Sequence, residues 1–317
     1  MASRRCLVTG GCGFIGSHLV AALLERGDRV RVFDNLSTGR RENLGALAGD
    51  VELVEGDLRD PDAVRRAVEG MDYVLHQAAL ASVPRSVAAP IATHEVDATG
   101  TLQVLVAARD AGVRRVLYAG SSSAYGDSPT LPKQEEMQAR PLSPYAVAKL
   151  AGEHYCAAFT RSYGLETVTL RYFNIFGPRQ DPASQYAAVV PRFLTAMMAG
   201  QPPTIYGDGT QSRDFTYVDN AVQANLLALE APAASGESIN VACGQRYSLL
   251  DLVAALNEIL STAIVPRHEP RRPGDVLHSL ASIEKAERLL GYRPVVAFHE
   301  GLRRTAAWYQ TRATRGA

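Results

Sequence analysis

A chain of 317 residues, 46% hydrophobic and 7% aromatic, can bury a large core, enough for one large domain or two smaller ones. Its 33 basic and 33 acidic residues cancel, and no long block of one sign occurs, which argues against a nucleic-acid footprint or a polybasic membrane patch. The apolar run that follows Ser3, Arg4 and Arg5 is too short for a signal-peptide core or a membrane span. Cys6, Cys12, Cys156 and Cys243 lie far apart without a CxxC pair, so no disulfide framework or metal site is expected. Reduced thiols in a cytoplasmic chain with small-molecule partners fit this pattern.

In chain order, the first half alternates short apolar runs with longer stretches of helical period, as βαβ units do. Strands are expected at 6–9, 29–34, 51–55, 73–76, 115–119 and 167–172, with helices between them. Right-handed crossovers then give an α/β, doubly wound, Rossmann-type parallel sheet. Directly after the first strand, Gly10-Gly11-Cys12-Gly13-Phe14-Ile15-Gly16 opens an apolar-periodic helix. Glycine removes the Cβ that would hold a pyrophosphate off the backbone, and the helix start offers N–H groups and a positive dipole end to that anion.

The second strand ends in Asp34, where a carboxylate can accept both hydroxyls of an adenine ribose. It would repel a 2′-phosphate and Asn35 follows it, so NAD is expected rather than NADP, although Arg40 and Arg41 lie nearby. Asp57 closes the third strand and is expected either to meet the adenine or to cap the helix at Pro61.

The fifth strand runs into Gly120-Ser121-Ser122-Ser123-Ala124-Tyr125-Gly126, placing hydroxyls where open α/β sheets hold ligands. Tyr145 and Lys149 share one face of a helix that starts near Pro144. The chain carries only three lysines, Lys133, Lys149 and Lys285, so ordinary surface charge here is arginine and a lysine beside a tyrosine has a specific use. A compact ammonium can fork to ribose hydroxyls and lower a neighbouring phenol's pKa.

After Gly177-Pro178 the rhythm changes, with turn-rich segments and helices expected at 190–199, 219–230, 249–260, 283–290 and 300–311. Residues 1–177 are read as the dinucleotide-binding domain, to which the chain returns around 214–241, and 178–317 mainly as a smaller, mixed α/β substrate domain.

TGGCGFIG, FDNLSTG, SSSAYG, SPYAVAK and RYFNIFGPR together resemble the extended short-chain dehydrogenases over nearly the whole chain, most closely the UDP-hexose 4-epimerases. Tyr172-Phe173-Asn174, Gln180-Asp181-Pro182, Ser212-Arg213-Asp214-Phe215 and Arg271-Arg272-Pro273-Gly274-Asp275 resemble epimerases that handle N-acetylhexosamines. The resemblance implies Tyr145 as acid and base, Lys149 on the nicotinamide ribose, and Ser121 as the hydroxyl near O4 of the sugar. One residue of slippage would transfer that last role to Ser122 or Ser123. It further implies that the NAD site takes in Asn35, Ser37, Thr38 and Gly39 around the adenosine, and Asp57, Leu58, Gln77, Ala78, Ala79, Thr99 and Tyr172 elsewhere. Asn174, Arg213, Arg272 and Asp275 are implied on the UDP, as forked arginine contacts suit a pyrophosphate, with Ala81, Ser82, Val190 and Tyr206 also on the substrate side.

The implied reaction is a transient oxidation at C4 by bound NAD, rotation of the 4-keto sugar and reduction from the opposite face, with no net redox change. Dehydratases and decarboxylases of this type place carboxylates after the strand-end hydroxyl, where this chain has Ser122 and Ser123. A UDP-glucuronate 4-epimerase, a reductase and a non-catalytic NAD-binding protein are also compatible with these motifs. Ser279 falls where related epimerases carry a large or a small side chain near C2 of the sugar, and serine leaves room for an N-acetyl group. UDP-GlcNAc and UDP-GalNAc are therefore the expected substrates, with weaker action on UDP-Glc and UDP-Gal, in a homodimer formed through 99–111 and 145–163.

Overall fold

The computed structural model describes residues 3–182, 188–271 and 276–315. Its first six strands, β1 (Arg5–Thr9), β2 (Arg29–Asp34), β3 (Val51–Glu55), β4 (Tyr73–His76), β5 (Arg115–Ser121) and β6 (Glu166–Tyr172), fall where apolar runs predict them. The helices between them are α1 (Phe14–Glu25), α2 (Pro61–Val68), α3 (Val83–Ala88), α4 (Pro90–His94), α5 (Gly100–Asp110) and α6 (Pro144–Tyr163). A single π-helical turn, Glu95–Thr99, joins α4 to α5.

The second half contributes β7 (Ile175–Phe176), α7 (Val189–Met198), β8 (Thr204–Tyr206), β9 (Ser212–Arg213), β10 (Thr216–Tyr217) and α8 (Val218–Glu230). These are followed by β11 (Glu237–Val241), β12 (Tyr247–Ser248), α9 (Leu249–Leu260), β13 (Arg267–Glu269), α10 (Glu284–Leu290) and α11 (Phe298–Arg315).

Seven parallel strands form the main sheet in the order β11-β6-β5-β4-β1-β2-β3. The chain winds outward from β1 to β3, then restarts at β4 on the other side of β1. Adjacent crossovers therefore diverge beyond the C-terminal ends of β1 and β4, and a crevice opens there. One face of the sheet packs on α1 and α8 through Leu19, Val20, Leu23, Ala224 and Ala228, the other on α2, α5 and α6 through Val64, Val104, Leu105 and Phe159. A separate apolar cluster, with Phe176, Phe193, Phe215, Leu256 and Phe298 at its centre, gathers α7, α9 and α11.

Two local signals fix the helix that matters most. The Ser143 hydroxyl accepts from Ala146 N with Pro144 in the first turn, and Gly164 ends α6 in the left-handed conformation. The end of β5 and the residue that caps α2 differ from expectation. β5 continues to Ser121, so that serine is the last residue of a strand and not part of the following turn. β3 stops at Glu55 as expected, but the carboxylate that caps α2 is Asp60 and not Asp57, accepting from Asp62 N and Ala63 N. Asp57 sits instead in the intervening turn.

Candidate active site

A cleft of about 1940 Å³ lies over the C-terminal ends of the main sheet. At its dinucleotide end, Gly10, Gly13, Phe14, Ile15 and Gly16 form the floor. Glycine is required there: a Cβ on Gly16 would stand 2.1 Å from Gly10 O, and one on Gly39 2.8 Å from Asp34 Oδ2. The N-cap of α1 is Gly13, and no side chain caps the helix, so its first-turn N–H groups are left for an anion.

Asp34 is buried, and its carboxylate accepts from Cys12 N at 3.0 Å and Leu36 N at 2.8 Å; burial pushes it above the usual carboxylate range. Arg40, on the cleft wall, pairs with Asp181 at 2.8 Å, and Arg41 with Glu55 at 2.6 Å. Asp57 is clasped by Arg59, which donates through both its backbone and its guanidinium, and by Asn35 Nδ2 at 2.9 Å. These bonds hold its carboxyl well below the usual range.

Ser37, Thr38, Leu58, Ala78 and Ala79 complete this wall. Gln77, on this wall, receives the Tyr172 hydroxyl at 3.2 Å, while its Nε2 is buried with no protein acceptor. The glycine cradle, the uncapped helix, the buried carboxylate and this orphaned donor together fit NAD.

In the middle of the cleft, α6 presents Tyr145 and Lys149 on one face, as their spacing requires. The helix lies close against the sheet because Gly152, one turn on, has no Cβ, which would meet Tyr118 Oη at 2.3 Å. It is anchored by a buried ion pair between Arg171 of β6 and Glu153, at 2.5 Å and 2.9 Å, with Arg171 also donating to the Tyr125 hydroxyl at 2.7 Å. Removing one partner of such a pair costs about 3–5 kcal/mol.

Lys149 Nζ donates to Ala119 O at 3.0 Å and stands 4.9 Å from the centre of the Tyr118 ring. Burial lowers its pKa, and Asp97 opposes that. Burial likewise pushes the Tyr145 phenol up to about 12, Asp97 adds to the rise, and a hydrogen bond to Ser121 opposes it. The Ser121 hydroxyl is thus one group of this chain that favours the phenolate. The Ser121 oxygen also receives the Ser123 hydroxyl at 2.8 Å, so the adjacent serines divide the work, with Ser121 next to the phenol and Ser123 behind it.

At the other end, Ala81, Ser82, Ser122, Ser123, Asn174, Arg213 and Ser279 line the wall. Asn174 adopts φ 40°, and its Nδ2 donates to Asp214 O at 3.2 Å. Arg213 is steadied by Ser212 O and Leu277 O at 2.9 Å and 3.2 Å. Ser279 N donates to Ser212 O at 3.0 Å, which ties the 276–282 segment to β9.

Three expected residues lie off the cleft. Thr99 is exposed, because the π-turn changes the helical phase and directs Asp97 inward instead. Val190 belongs to the apolar core: it shares a face of α7 with Phe193, Leu194 and Met197, while Thr195, Met198 and Ala199 form the face toward the cleft. Tyr206 ends β8 next to the buried Ile205, on the opposite side of the strand from the core and away from the cleft wall. Arg272 and Asp275 lie outside the described residues.

Lys133, Arg179, His278 and Trp308 also line the cleft, and sequence reasoning gave them no role. His278 adjoins Ser279, and Arg179 ends the RYFNIFGPR run, so adjacency was the available signal for both.

Residues 6–242 match a family described as the NAD dependent epimerase/dehydratase family. A UDP-glucose 4-epimerase from Mycolicibacterium smegmatis is 38% identical, covering 98% of this chain and 99% of its own length. Among solved structures, the UDP-N-acetylglucosamine 4-epimerase from Methanobrevibacter ruminantium, in complex with UDP-N-acetylmuramic acid, is 40% identical with a TM-score of 0.94, covering 98% of this chain and 100% of that one. The Thermotoga maritima UDP-glucose 4-epimerase with UDP-glucose is 38% identical with a TM-score of 0.93, over 98% and 99%.

Proposed function

The chain belongs to the NAD dependent epimerase/dehydratase family and is a UDP-sugar 4-epimerase working with NAD; within that activity we propose that it interconverts UDP-GlcNAc and UDP-GalNAc. The observation that carries the choice of sugar is Ser279, a small side chain on the cleft wall that also holds the serines after β5. A large residue there would fill the space an N-acetyl group needs. The 40% identical relative named for UDP-N-acetylglucosamine supports the same reading, and the UDP-glucose relatives support UDP-Glc and UDP-Gal as further substrates.

NAD, held by the glycine cradle before α1 and by Asp34, would supply the acceptor and donor of the C4 hydride with no net consumption. The residues of this chain do the rest. Tyr145 Oη takes the O4 proton as the C4 carbonyl forms and returns it when the other face of the sugar is reduced. Burial raises the pKa of this phenol, and the hydrogen bond to Ser121 opposes that rise and so favours the proton acceptor. Ser121 and Ser123 form a hydroxyl relay beside O4. Arg213 and Asn174 hold the UDP while the sugar turns, Arg213 by charge-assisted contact with the pyrophosphate.

We place the enzyme in the cytoplasm, where its four unpaired cysteines stay reduced; among the described residues no helix is long and apolar enough to cross a membrane. We also read it as a homodimer, supported by exposed Val147, Tyr155 and Tyr163 along α6.

The test is to incubate the holoenzyme with UDP-GlcNAc without reductant and follow the sugar by NMR and absorbance at about 340 nm, where reduced nicotinamide absorbs. An equilibrium with UDP-GalNAc and no net NADH is expected. Ser279→Tyr should lose at least about tenfold in kcat/KM on the N-acetylated pair while retaining UDP-Glc. Equal losses on both pairs would remove Ser279 from the selection of sugar.

A further inference from the structure

Of the charged groups buried beside Tyr145 and Lys149, one has no part in the chemistry described so far. Asp97 stands in the middle of the π-helical turn Glu95–Thr99 and is 1% exposed. Its Oδ1 accepts from Leu80 N at 2.7 Å, while Oδ2 is buried with no hydrogen-bond partner. Single π-turns cost helix geometry and recur where a side chain must be aimed at a site. Here the turn directs a carboxylate into the sheet-side interior beneath the cleft.

We infer that Asp97 is a positioning residue: it supplies the counter-charge that keeps Lys149 an ammonium, and through Lys149 and Tyr145 it sets the pH range of the reaction. The inference rests on the roles proposed above for those two residues.

The surroundings favour this over a purely structural role. An amide would accept the Leu80 N–H as well as a carboxylate does, without the cost of burying an ion that has one oxygen unpartnered. Burial raises the Asp97 pKa for that reason, and Lys149 is the first group that opposes the rise, with the Leu80 N–H second. α6 packs against the π-turn and brings Lys149, Tyr145 and Cys156 to this interior; Asp97 O accepts from Thr101 Oγ1 at 2.6 Å, Thr101 Oγ1 meets His76 Nε2 at 3.0 Å, and the Tyr118 ring of β5 lies 5.7 Å from that imidazole and 4.9 Å from Lys149 Nζ. β4 brings His76, which is held between the Thr9 and Thr101 hydroxyls and kept neutral by burial and by Lys149. Lys149 is thus the cation among them. α4 and α5 add no charge here: His94 is exposed, and Arg109 and Asp110 lie at the far end of α5.

The sign follows directly. A carboxylate favours the ammonium of Lys149 and disfavours the phenolate of Tyr145, so it raises both pKa values. Asp97→Asn, which keeps an acceptor for Leu80, should move both limbs of the kcat profile to lower pH by about one unit, whereas Asp97→Glu should keep them near their original positions.

The chain has only three lysines, so a 13C titration of labelled lysine side chains reads Lys149 whether or not any sugar turns over. In the Asn holoenzyme the Lys149 signal should titrate about one unit lower than in the unaltered holoenzyme. The same titration midpoint in both would overturn the inference, even with epimerase activity intact. A shifted midpoint without turnover on any UDP-sugar would leave it standing and count against the reaction instead. Should the Asn variant not fold, the unaltered holoenzyme decides the matter. Its Lys149 titration must then be accompanied by an inflection in an aspartate carboxyl signal, and no such inflection would overturn the inference.

Discussion

At the dinucleotide end of the cleft, the walls come largely from residues that follow β1, β2, β3 and β4 directly, so a few positions beyond each strand end suffice to build the site. At the sugar end, Ser121, Asn174, Arg213 and Ser279 come from four segments far apart in the chain, held by contacts between segments such as Ser279 N to Ser212 O at 3.0 Å and Ser212 N to Leu277 O at 2.9 Å. The first arrangement has its geometry imposed by the sheet and by backbone that tolerates no Cβ. The second can change a side chain without disturbing the fold.

The sharpest way to break that contrast is Tyr145→Phe, since this phenol lines the cleft between the two ends. We expect kcat to fall by about 10³-fold or more while UDP-sugar affinity and NAD content stay near their original values. Near-normal turnover would take Tyr145 out of the reaction.

Acid should strike the dinucleotide half. His18, which faces Pro178 O at 3.0 Å, is lowered by burial to about 4, and His76 to about 3, from an ordinary value of 6.5. Both folded values are depressed, so the neutral rings contribute stability that is fully present above pH 6.5 and lost as the pH falls through the folded values. For His18 alone this amounts to about 3 kcal/mol by pH 4. The thermal midpoint and the retained NAD should fall together between pH 6.5 and 4, and His18→Gln should flatten that slope; an unchanged slope would show that the ring does not drive it.

A smaller effect is expected from Gly16→Ala, whose Cβ would collide with Gly10 O. Overpacking of this kind costs about 1–3 kcal/mol, read as lost NAD affinity, with the α7, α9 and α11 cluster unaffected. Retained NAD affinity would mean the cradle is looser than its contacts indicate.

The sequence by itself determined the doubly wound sheet, the glycine cradle, Asp34 and the Tyr145–Lys149 pair, because each depends on neighbours within one strand, turn or helix and periodicity reports such neighbours directly. It also led to Ser121, Arg213 and Ser279 through resemblance, but could not show that they line one wall. Tertiary structure alone decided the remainder. A π-turn reversed the facing of Thr99 and Asp97, and the apolar stripe of α7 drew Val190 into the core while Thr195 and Met198 faced the cleft. It was also packing that left Lys149 bonded to Ala119 O and gave Ser121 the contact with the phenol. These outcomes turn on helical phase and on contacts between distant segments, which a linear pattern does not encode.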